Sequence, residues 1–399
     1  MIVQPMIRDN ICITAHPVGC RAETRRQIDF VRARSHRYSR DLGPRAVLVV
    51  GASGGYGLAS RISAAFGLGA ATVGISYEKE PSKTKTGTPG WYNNRAFDEA
   101  ASEAGLQAAT IDIDAFSSEA KNRAIASARE LGFKYDLVVY SLASPVRSDP
   151  STGVLWRSAI KPIGKSFHGQ TVDVFTGELS KAEVGPATEE EIAATVKVMG
   201  GEDWELWIKA LAEAGVLAEG AKTVAYSYIG PALSWPIYRD GTLGRAKADL
   251  DETARRMSRA APVPGFHAFV SVNKAVVTRS SAVIPVIPLY VSVLFKVMKA
   301  RGTHEDCIAQ MDRLFRERLY AKGPDGGLAA PSVDEHGRIR MDDLEMSPGV
   351  QAEVEAVMSH IAPATVASLA DLAGFRDDFL AAQGFGVAGV DYETDCELD

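Results

Sequence analysis

The stretch "RAVLVVGASGGYGLASRISAAFGLG", Arg45 to Gly69, constrains the fold more than any other part of the chain. Its first six residues form an apolar, β-branched run of the kind buried on both faces in a parallel strand. Glycines follow at once, then "LASRISAAFGLG" at helical spacing. The unit recurs: "AATVGISYE" predicts a second strand, "WYNNRAFDEAASEAG" a helix, "LQAATIDIDA" a third strand, "SSEAKNRAIASAREL" a helix and "YDLVVYSLAS" a fourth strand. Short right-handed crossovers assemble such an alternation into an α/β fold with a Rossmann-like, doubly wound parallel sheet. Ligands of such sheets sit at the carboxyl ends of the strands.

After Ser144 the alternation stops for about 75 residues. Short alternating strands with Gly and Pro punctuation, then a helical "EEEIAATVKVMGGEDWELWIKALAEAG", read as an insertion or lid over 145–220 at the mouth of the site. "AKTVAYSYIG" resumes as a fifth strand, "GTLGRAKADLDETARRMSRAA" as the next helix and "GFHAFVSVNKAVV" as the sixth strand. We expect one large domain over 1–399: a first dinucleotide-binding half at 45–144, the insertion, a second half at 221–300 and a helical elaboration at 301–399. Within the elaboration, "GPDGGLAAPSVDEHGRIRM" looks like a hairpin, and upstream "RAETRRQIDFVRARSH" reads as a polar helix covering the sheet.

The formal net charge of -6 argues against nucleic acid as the main partner, which would demand a basic face. Four cysteines without a CxxC pair are too sparse for a disulfide framework and fit a reducing cytoplasm. Seven histidines lack an HxxxH spacing, so no metal site is read. The N-terminus lacks the charged start and continuous apolar run of a secretory signal, and a cytoplasmic location is expected. The most membrane-like stretch, "AVIPVIPLYVSVLF" from Ala282 to Phe295, is 14 residues long and contains Pro285 and Pro288. It is too short to span a bilayer and reads as buried or ligand-facing. No feature requires a dimer, and a monomer is expected.

Gly51, Gly55 and Gly57 follow the first strand in the spacing GxxxGxG, with Ala52, Ser53, Gly54 and Tyr56 filling the turn. A tight turn and close backbone approach need residues without a Cβ, and the following helix N-terminus offers N–H groups to a pyrophosphate. At the end of the second strand, Glu78 is placed to accept from both hydroxyls of an adenosine ribose and to repel a 2′-phosphate, which predicts NADH over NADPH. Lys79, Lys83 and Lys85 lie close by and could instead receive a phosphate. Asp114 and Ala115 finish the third strand, where a polar side chain can meet adenine. Ser141 to Ser144 finish the fourth, beside the nicotinamide ribose. Ordinary turn chemistry would also account for each.

GxxxGxG is the form used by short-chain dehydrogenases, which place Tyr and Lys near strand five. "SYIGPALSWPIYRDGTLGRAK", Ser227 to Lys247, offers Tyr238 and Lys247 nine positions apart. On one helix that step turns about 900°, which puts the two on opposite faces. Pro236 and Gly241 argue against helix at Tyr238, and Thr242 is a candidate N-cap for a helix starting near Leu243. Tyr238 is then expected on a loop that folds back over the first turns of the helix carrying Lys247. A neighbouring ammonium would lower the phenol pKa and favour its use as proton donor or oxyanion stabiliser. By spacing alone, a core tyrosine and a surface lysine would serve as well.

Together "GASGGYG", "SYE", "YSLASP", Tyr228 with Tyr238, the Tyr-x8-Lys spacing and "SSAVIPVIPLYVSVLFKVMK" resemble the FabV-type enoyl-acyl-carrier-protein reductases and their relatives, the trans-2-enoyl-CoA reductases. The similarity runs over nearly the whole chain. It implies NADH-dependent reduction of the C2=C3 double bond of trans-2-enoyl thioesters, carried by coenzyme A or acyl carrier protein, in fatty acid synthesis. It also implies Tyr238 as proton donor, Lys247 as NAD ligand and Tyr228 as a contact to the substrate thioester. NAD contacts are implied at Gly51, Ala52, Ser53, Gly54, Gly55 and Tyr56, at Tyr77 with Glu78, Asp114 with Ala115, Leu142 with Ala143, and at Val276, Val277 and Thr278 after strand six. The apolar run from Ala282 would form the acyl tunnel. Two rivals stand beside this reading: a short-chain carbonyl reductase or hydroxyacyl dehydrogenase using the same Tyr and Lys, and a non-catalytic NAD-sensing regulator.

Overall fold

The computed structural model describes residues 1–8, 11–278, 284 and 286–398. Seven strands make the central sheet: β1 (Ala46–Val50), β2 (Ala71–Ser76), β3 (Ala108–Asp112), β4 (Tyr135–Tyr140), β5 (Leu217–Ser227), β6 (His267–Val272) and β7 (Ile339–Arg340). They are hydrogen-bonded in the order β7-β6-β5-β4-β1-β2-β3, and every neighbouring pair is parallel. The six predicted strands all form. From β1 the chain runs outward to β3, then crosses back to β4, so the strand order reverses between β1 and β4. A ligand crevice belongs at that switch point.

All five residues of β1 are buried. Val47 and Val49 face one apolar layer with Ile28 and Val31 of α1 (Pro17–Arg32), Leu58 and Ile62 of α2 (Gly55–Ile62) and Phe97 of α3 (Pro89–Glu103). Ala46, Leu48 and Val50 face the other layer, with Ala120 and Ala124 of α4 (Ser118–Glu130) and Leu250 and Met257 of α7 (Thr242–Ala260). This period-two division between two helical layers explains why the strand reads as a continuous apolar run.

Residues 145–220 hold two antiparallel hairpins, one pairing Val146–Ser148 with Leu155–Arg157, the other Phe167–Val172 with Leu179–Val184. Two helices follow, α5 (Glu189–Met199) and α6 (Glu202–Glu213), where the sequence suggested one helical stretch. The break has a tertiary cause. A Cβ on Gly200 would stand 2.5 Å from Oδ2 of Asp249, and one on Gly201 would overlap the Thr253 side chain, both on α7. α6 belongs to the sheet's helical layer, because Trp204 and Trp207 are fully buried against β4 and β5 residues.

The hairpin-like segment ends in β7, whose Ile339 pairs with Ser271 of β6 and adds a seventh strand that the sequence did not reveal. A third core forms around α8 (Ile287–Ala300), which is buried continuously from Ile287 to Phe295 and exposes Lys296, Lys299 and Ala300 along one side at its end. Val350 and Val354 of α10 (Pro348–Met358) and Phe375 and Phe379 of α12 (Leu372–Ala381) pack on it, and Tyr228 and Tyr238 border the same cluster. Between α8 and α10 lies α9 (Cys307–Arg313), and α11 (Val366–Leu369) precedes α12. Of the apolar run, Ala282, Val283 and Pro285 lie outside the described residues. Among the described residues no helix is long and apolar enough to cross a membrane.

Candidate active site

The glycine turn sits where β1 and β4 end side by side, Val50 opposite Tyr140. Gly51 has φ +89°, and a Cβ there would stand 2.5 Å from the Ser141 carbonyl oxygen. A Cβ on Gly57 would overlap the Gly51 carbonyl, so these two glycines press turn, helix and neighbouring strand together. Gly54 differs, since a Cβ there meets nothing within 4 Å. It is the N-cap of α2 and supplies no side-chain cap, and the first N–H groups of a helix have no partner within the helix. Thr278 Cγ2 lies 3.6 Å from where a Cβ on Gly55 would stand. The preceding Val276 and Val277 are buried.

Ser53 Oγ donates to Glu78 Oε1 at 2.6 Å, and the Glu78 N–H donates to Asp112 Oδ1 at 2.7 Å. The acidic end of β2 is thus held against the glycine turn, with Tyr77 beside it 78% exposed. Ala52 is buried and its N–H donates to the Ile75 carbonyl. Tyr56 turns inward: its hydroxyl donates to the Lys274 carbonyl at 2.7 Å and its ring packs on Tyr226. Asp114 Oδ1 accepts the Phe116 N–H at 3.0 Å, and the buried Ala115 offers its carbonyl to the Trp207 indole at 3.1 Å. After β4, Leu142 packs on the sheet's core and Ala143 is exposed.

Tyr228 follows β5 directly. Gly230 has φ +70°, and a Cβ there would stand 2.6 Å from the Tyr228 hydroxyl oxygen, so this glycine makes room for the phenol. The chain then turns without α-helix until Gly241, and Tyr238 lies on that turn, as Pro236 and Gly241 predict. A Cβ on Gly244 would overlap the Arg239 carbonyl, so a second glycine lets the loop fold back onto the first turn of α7. Thr242 is not the N-cap. Gly241 is, and the Thr242 hydroxyl instead bonds the Ala159 carbonyl and accepts the Lys161 N–H at 3.2 Å, tying the insertion to α7.

The Tyr228 and Tyr238 rings meet edge to face at 5.0 Å. Lys247 Nζ donates to the Tyr226 carbonyl of β5 at 3.0 Å, two residues before Tyr228. Burial holds the ammonium pKa down to about 8, with Asp251 acting the other way. The Tyr238 phenol is pushed up, first by burial and then by the Glu345 carboxylate. The expectation that a nearby cation lowers it is not met, because the ammonium is aimed at a backbone carbonyl while the charge acting on the phenol is negative.

Glu345 is the residue the sequence reading missed. Its Oε1 accepts from the Tyr228 hydroxyl at 3.0 Å and the Tyr290 hydroxyl at 2.6 Å, and Oε2 accepts the Ala275 N–H at 2.7 Å. It stands 117 positions from Tyr228, so no local motif could have joined them.

The family profile described as the catalytic region of trans-2-enoyl-CoA reductase matches residues 85–320. The chain belongs to that family. A profile for the NAD(P)H binding domain of trans-2-enoyl-CoA reductase matches residues 2–83, which include the glycine turn and Glu78. The trans-2-enoyl-CoA reductase [NADH] of Treponema denticola is 56% identical across 100% of this chain and 99% of its own. Its crystal structure in complex with NAD superposes with a TM-score of 0.95, covering 99% of this chain and 98% of that one. An enoyl-[acyl-carrier-protein] reductase [NADH] of Opitutus terrae is 49% identical over 100% of this chain and 98% of its own.

A third profile, the enoyl reductase FAD binding domain, matches residues 333–396. The residues there do not fit a flavin dinucleotide. Among the described residues the segment contains one two-residue strand and three helices, without a strand, glycine turn and helix in succession to cradle phosphates. The apolar side chains of those helices, Val350, Val354, Phe375 and Phe379 among them, are buried against α8. What the segment brings to the site is Glu345.

Proposed function

We propose that this chain catalyses the NADH-dependent reduction of the C2=C3 double bond of trans-2-enoyl thioesters, carried by coenzyme A or acyl carrier protein, as a step of fatty acid synthesis. The observation that carries this reading is the pair of phenols: Tyr228 and Tyr238 pack together at the carboxyl end of β5, beside Lys247 and at the same end of the sheet as the glycine turn. The names of the relatives and the NAD in the Treponema denticola complex support it.

The open space over Gly54 receives the pyrophosphate, against the N–H groups of Gly55 and Tyr56, with Gly51, Ala52 and Ser53 forming the turn. Tyr77 and Glu78 hold the adenosine ribose, Asp114 and Ala115 border the adenine, and Leu142 and Ala143 border the nicotinamide ribose with Lys247. Val276, Val277 and Thr278 cover the cofactor from β6. The hairpins of residues 145–220 form a lid, seated through Phe167 on Ile237 and Val286. The apolar side chains around α8 wall the acyl chain and keep water from the reacting carbons. When bound, NADH supplies the hydride to C3. Negative charge then gathers on the thioester oxygen, where a hydroxyl from Tyr228 or Tyr238 stabilises it, and Tyr238 delivers the proton. Every group named comes from one chain, so a monomer suffices, and the sparse cysteines suit the cytoplasm.

The test mixes protein, NADH and crotonyl-CoA and follows nicotinamide absorbance. Loss of absorbance with crotonyl-CoA but not with acetoacetyl-CoA is the expected result. Loss only with the ketone gives a carbonyl reductase instead.

A further inference from the structure

Glu345 is 0% exposed and lies directly beneath Tyr228. Tyr228 and Tyr290 of α8 donate to it, and its charge also acts on Tyr56 of α2, on Tyr238 and on Lys274 after β6. From α10, Gln351 Nε2 donates to the Glu345 backbone carbonyl at 2.8 Å and to the Tyr290 hydroxyl at 3.3 Å. Among the described residues Lys274 is the cation whose charge opposes that burial, but its Nζ donates to the Ala275 carbonyl at 2.7 Å and lies 4.9 Å from the centre of the Phe295 ring rather than bonding the carboxyl group. Among the described residues Glu345 forms no ion pair. A carboxyl group buried in that way is driven toward its protonated form, and burial is the leading cause that raises its pKa.

The hydrogen-bond count gives this a consequence for the reaction. A phenol carries one proton. While Glu345 is ionised, Tyr228 gives that proton to Oε1 and turns only lone pairs toward the cleft, where they repel an enolate oxygen. With a proton on Oε1, the carboxyl donates to the Tyr228 oxygen and still accepts from Tyr290 and from the Ala275 N–H. The Tyr228 proton is then released toward the thioester oxygen.

We propose that Glu345 is a positioning residue that carries a proton in the active enzyme and so orients the Tyr228 hydroxyl as a hydrogen-bond donor to the substrate. No proton leaves the pair in this scheme, and the transferred proton remains that of Tyr238. The inference rests on the reductase reading, since it assigns Tyr228 an oxygen to stabilise.

Glu345→Gln keeps the shape and the donor to Tyr228 and cannot ionise, while its amide nitrogen, which cannot accept, gives up the bond that Oε1 receives from Tyr290. The experiment measures kcat against pH at saturating NADH and crotonyl-CoA for wild type, Glu345→Gln, Glu345→Ala and Tyr228→Phe, with melting curves as a check on folding. Wild type is expected to lose activity on the alkaline side through an ionisation that is missing from Glu345→Gln and from Tyr228→Phe. Glu345→Gln falls at most about tenfold at the optimum, and Glu345→Ala about 100-fold. The infrared difference between wild type and Glu345→Gln should contain the carbonyl band of a protonated carboxylic acid. Retention of the alkaline ionisation in Glu345→Gln, or absence of that band, overturns the proposal. A wild type inactive on crotonyl-CoA refutes the reductase reading instead, and the infrared difference still decides the protonation.

Discussion

The rings of Tyr228 and Tyr238 stand edge to face, their planes at 83° and their centroids 5.0 Å apart. One phenol ends a strand and the other rides a loop, so their meeting depends on Gly230 and Gly244, each of which leaves space that a side chain would fill. Tyr238→Phe keeps the ring contact and removes only the hydroxyl. Turnover of crotonyl-CoA is expected to fall by about 100-fold or more, the range for loss of a general acid. The NADH dissociation constant, read by fluorescence titration, should move by less than about threefold, because a hydrogen bond to the cofactor is not what the phenol supplies. Near wild-type turnover would remove Tyr238 from the chemistry.

Lys247 carries a pH signature. Its pKa is lowered to about 8 by burial, so the ammonium is charged at neutral pH and is lost as pH rises through that value. An ammonium that binds the cofactor ribose is stabilised by the complex, so above about pH 8 NADH binding must be coupled to proton uptake. The NADH dissociation constant should then be flat below that pH and rise by up to about tenfold per unit above it. Lys247→Met should bind NADH more weakly and without this slope. Isothermal titration in buffers of different ionisation enthalpy reads the proton uptake directly, and its absence at alkaline pH would rule out the role.

Two glycines four and seven positions after Val50 make opposite demands. At Gly57 a Cβ collides with the Gly51 carbonyl, which is backbone and cannot step aside. Gly57→Ala should therefore cost stability, by about 1–3 kcal/mol as overpacking does, along with NADH binding. At Gly54 the backbone is extended (φ -166°) and the Cβ position is open. Gly54→Ala should melt within about 2 °C of wild type, as surface substitutions do, yet weaken NADH binding by intruding on the pyrophosphate. Equal loss of stability in both variants would show that the space over Gly54 is not a ligand site.

Much of this architecture is written locally. The β1 run, the glycine spacing and the Pro236 to Gly241 turn each follow from a few adjacent residues, which is why six strands and the loop position of Tyr238 were legible. What escaped depends on partners far along the chain. β7 is two residues long and exists only because β6 offers an edge. Thr242 has the chemistry of an N-cap, but the insertion's Ala159 and Lys161 compete for its hydroxyl. The α5–α6 break answers to Asp249 and Thr253 on α7, and the effect of Glu345 on two phenols is visible only after folding.

The proposed choice of NADH over NADPH rests on Glu78. Ser53 Oγ fixes one of its oxygens at 2.6 Å, so the carboxylate stands at the rim of the turn that would hold the pyrophosphate. A 2′-phosphate placed there would bring like charges within about 6 Å, worth roughly 1–3 kcal/mol after partial screening. Glu78→Gln removes the charge and keeps the hydrogen bond from Ser53. It should raise kcat/KM for NADPH by about tenfold or more, the equivalent of about 1.4 kcal/mol. The switch should be incomplete, because Asp112, which accepts the Glu78 N–H at 2.7 Å, keeps a second carboxylate nearby. Paired kcat/KM values for the two cofactors with crotonyl-CoA decide the matter. An NADPH value unchanged by Glu78→Gln would place the discrimination elsewhere, with the exposed Tyr77 next in line.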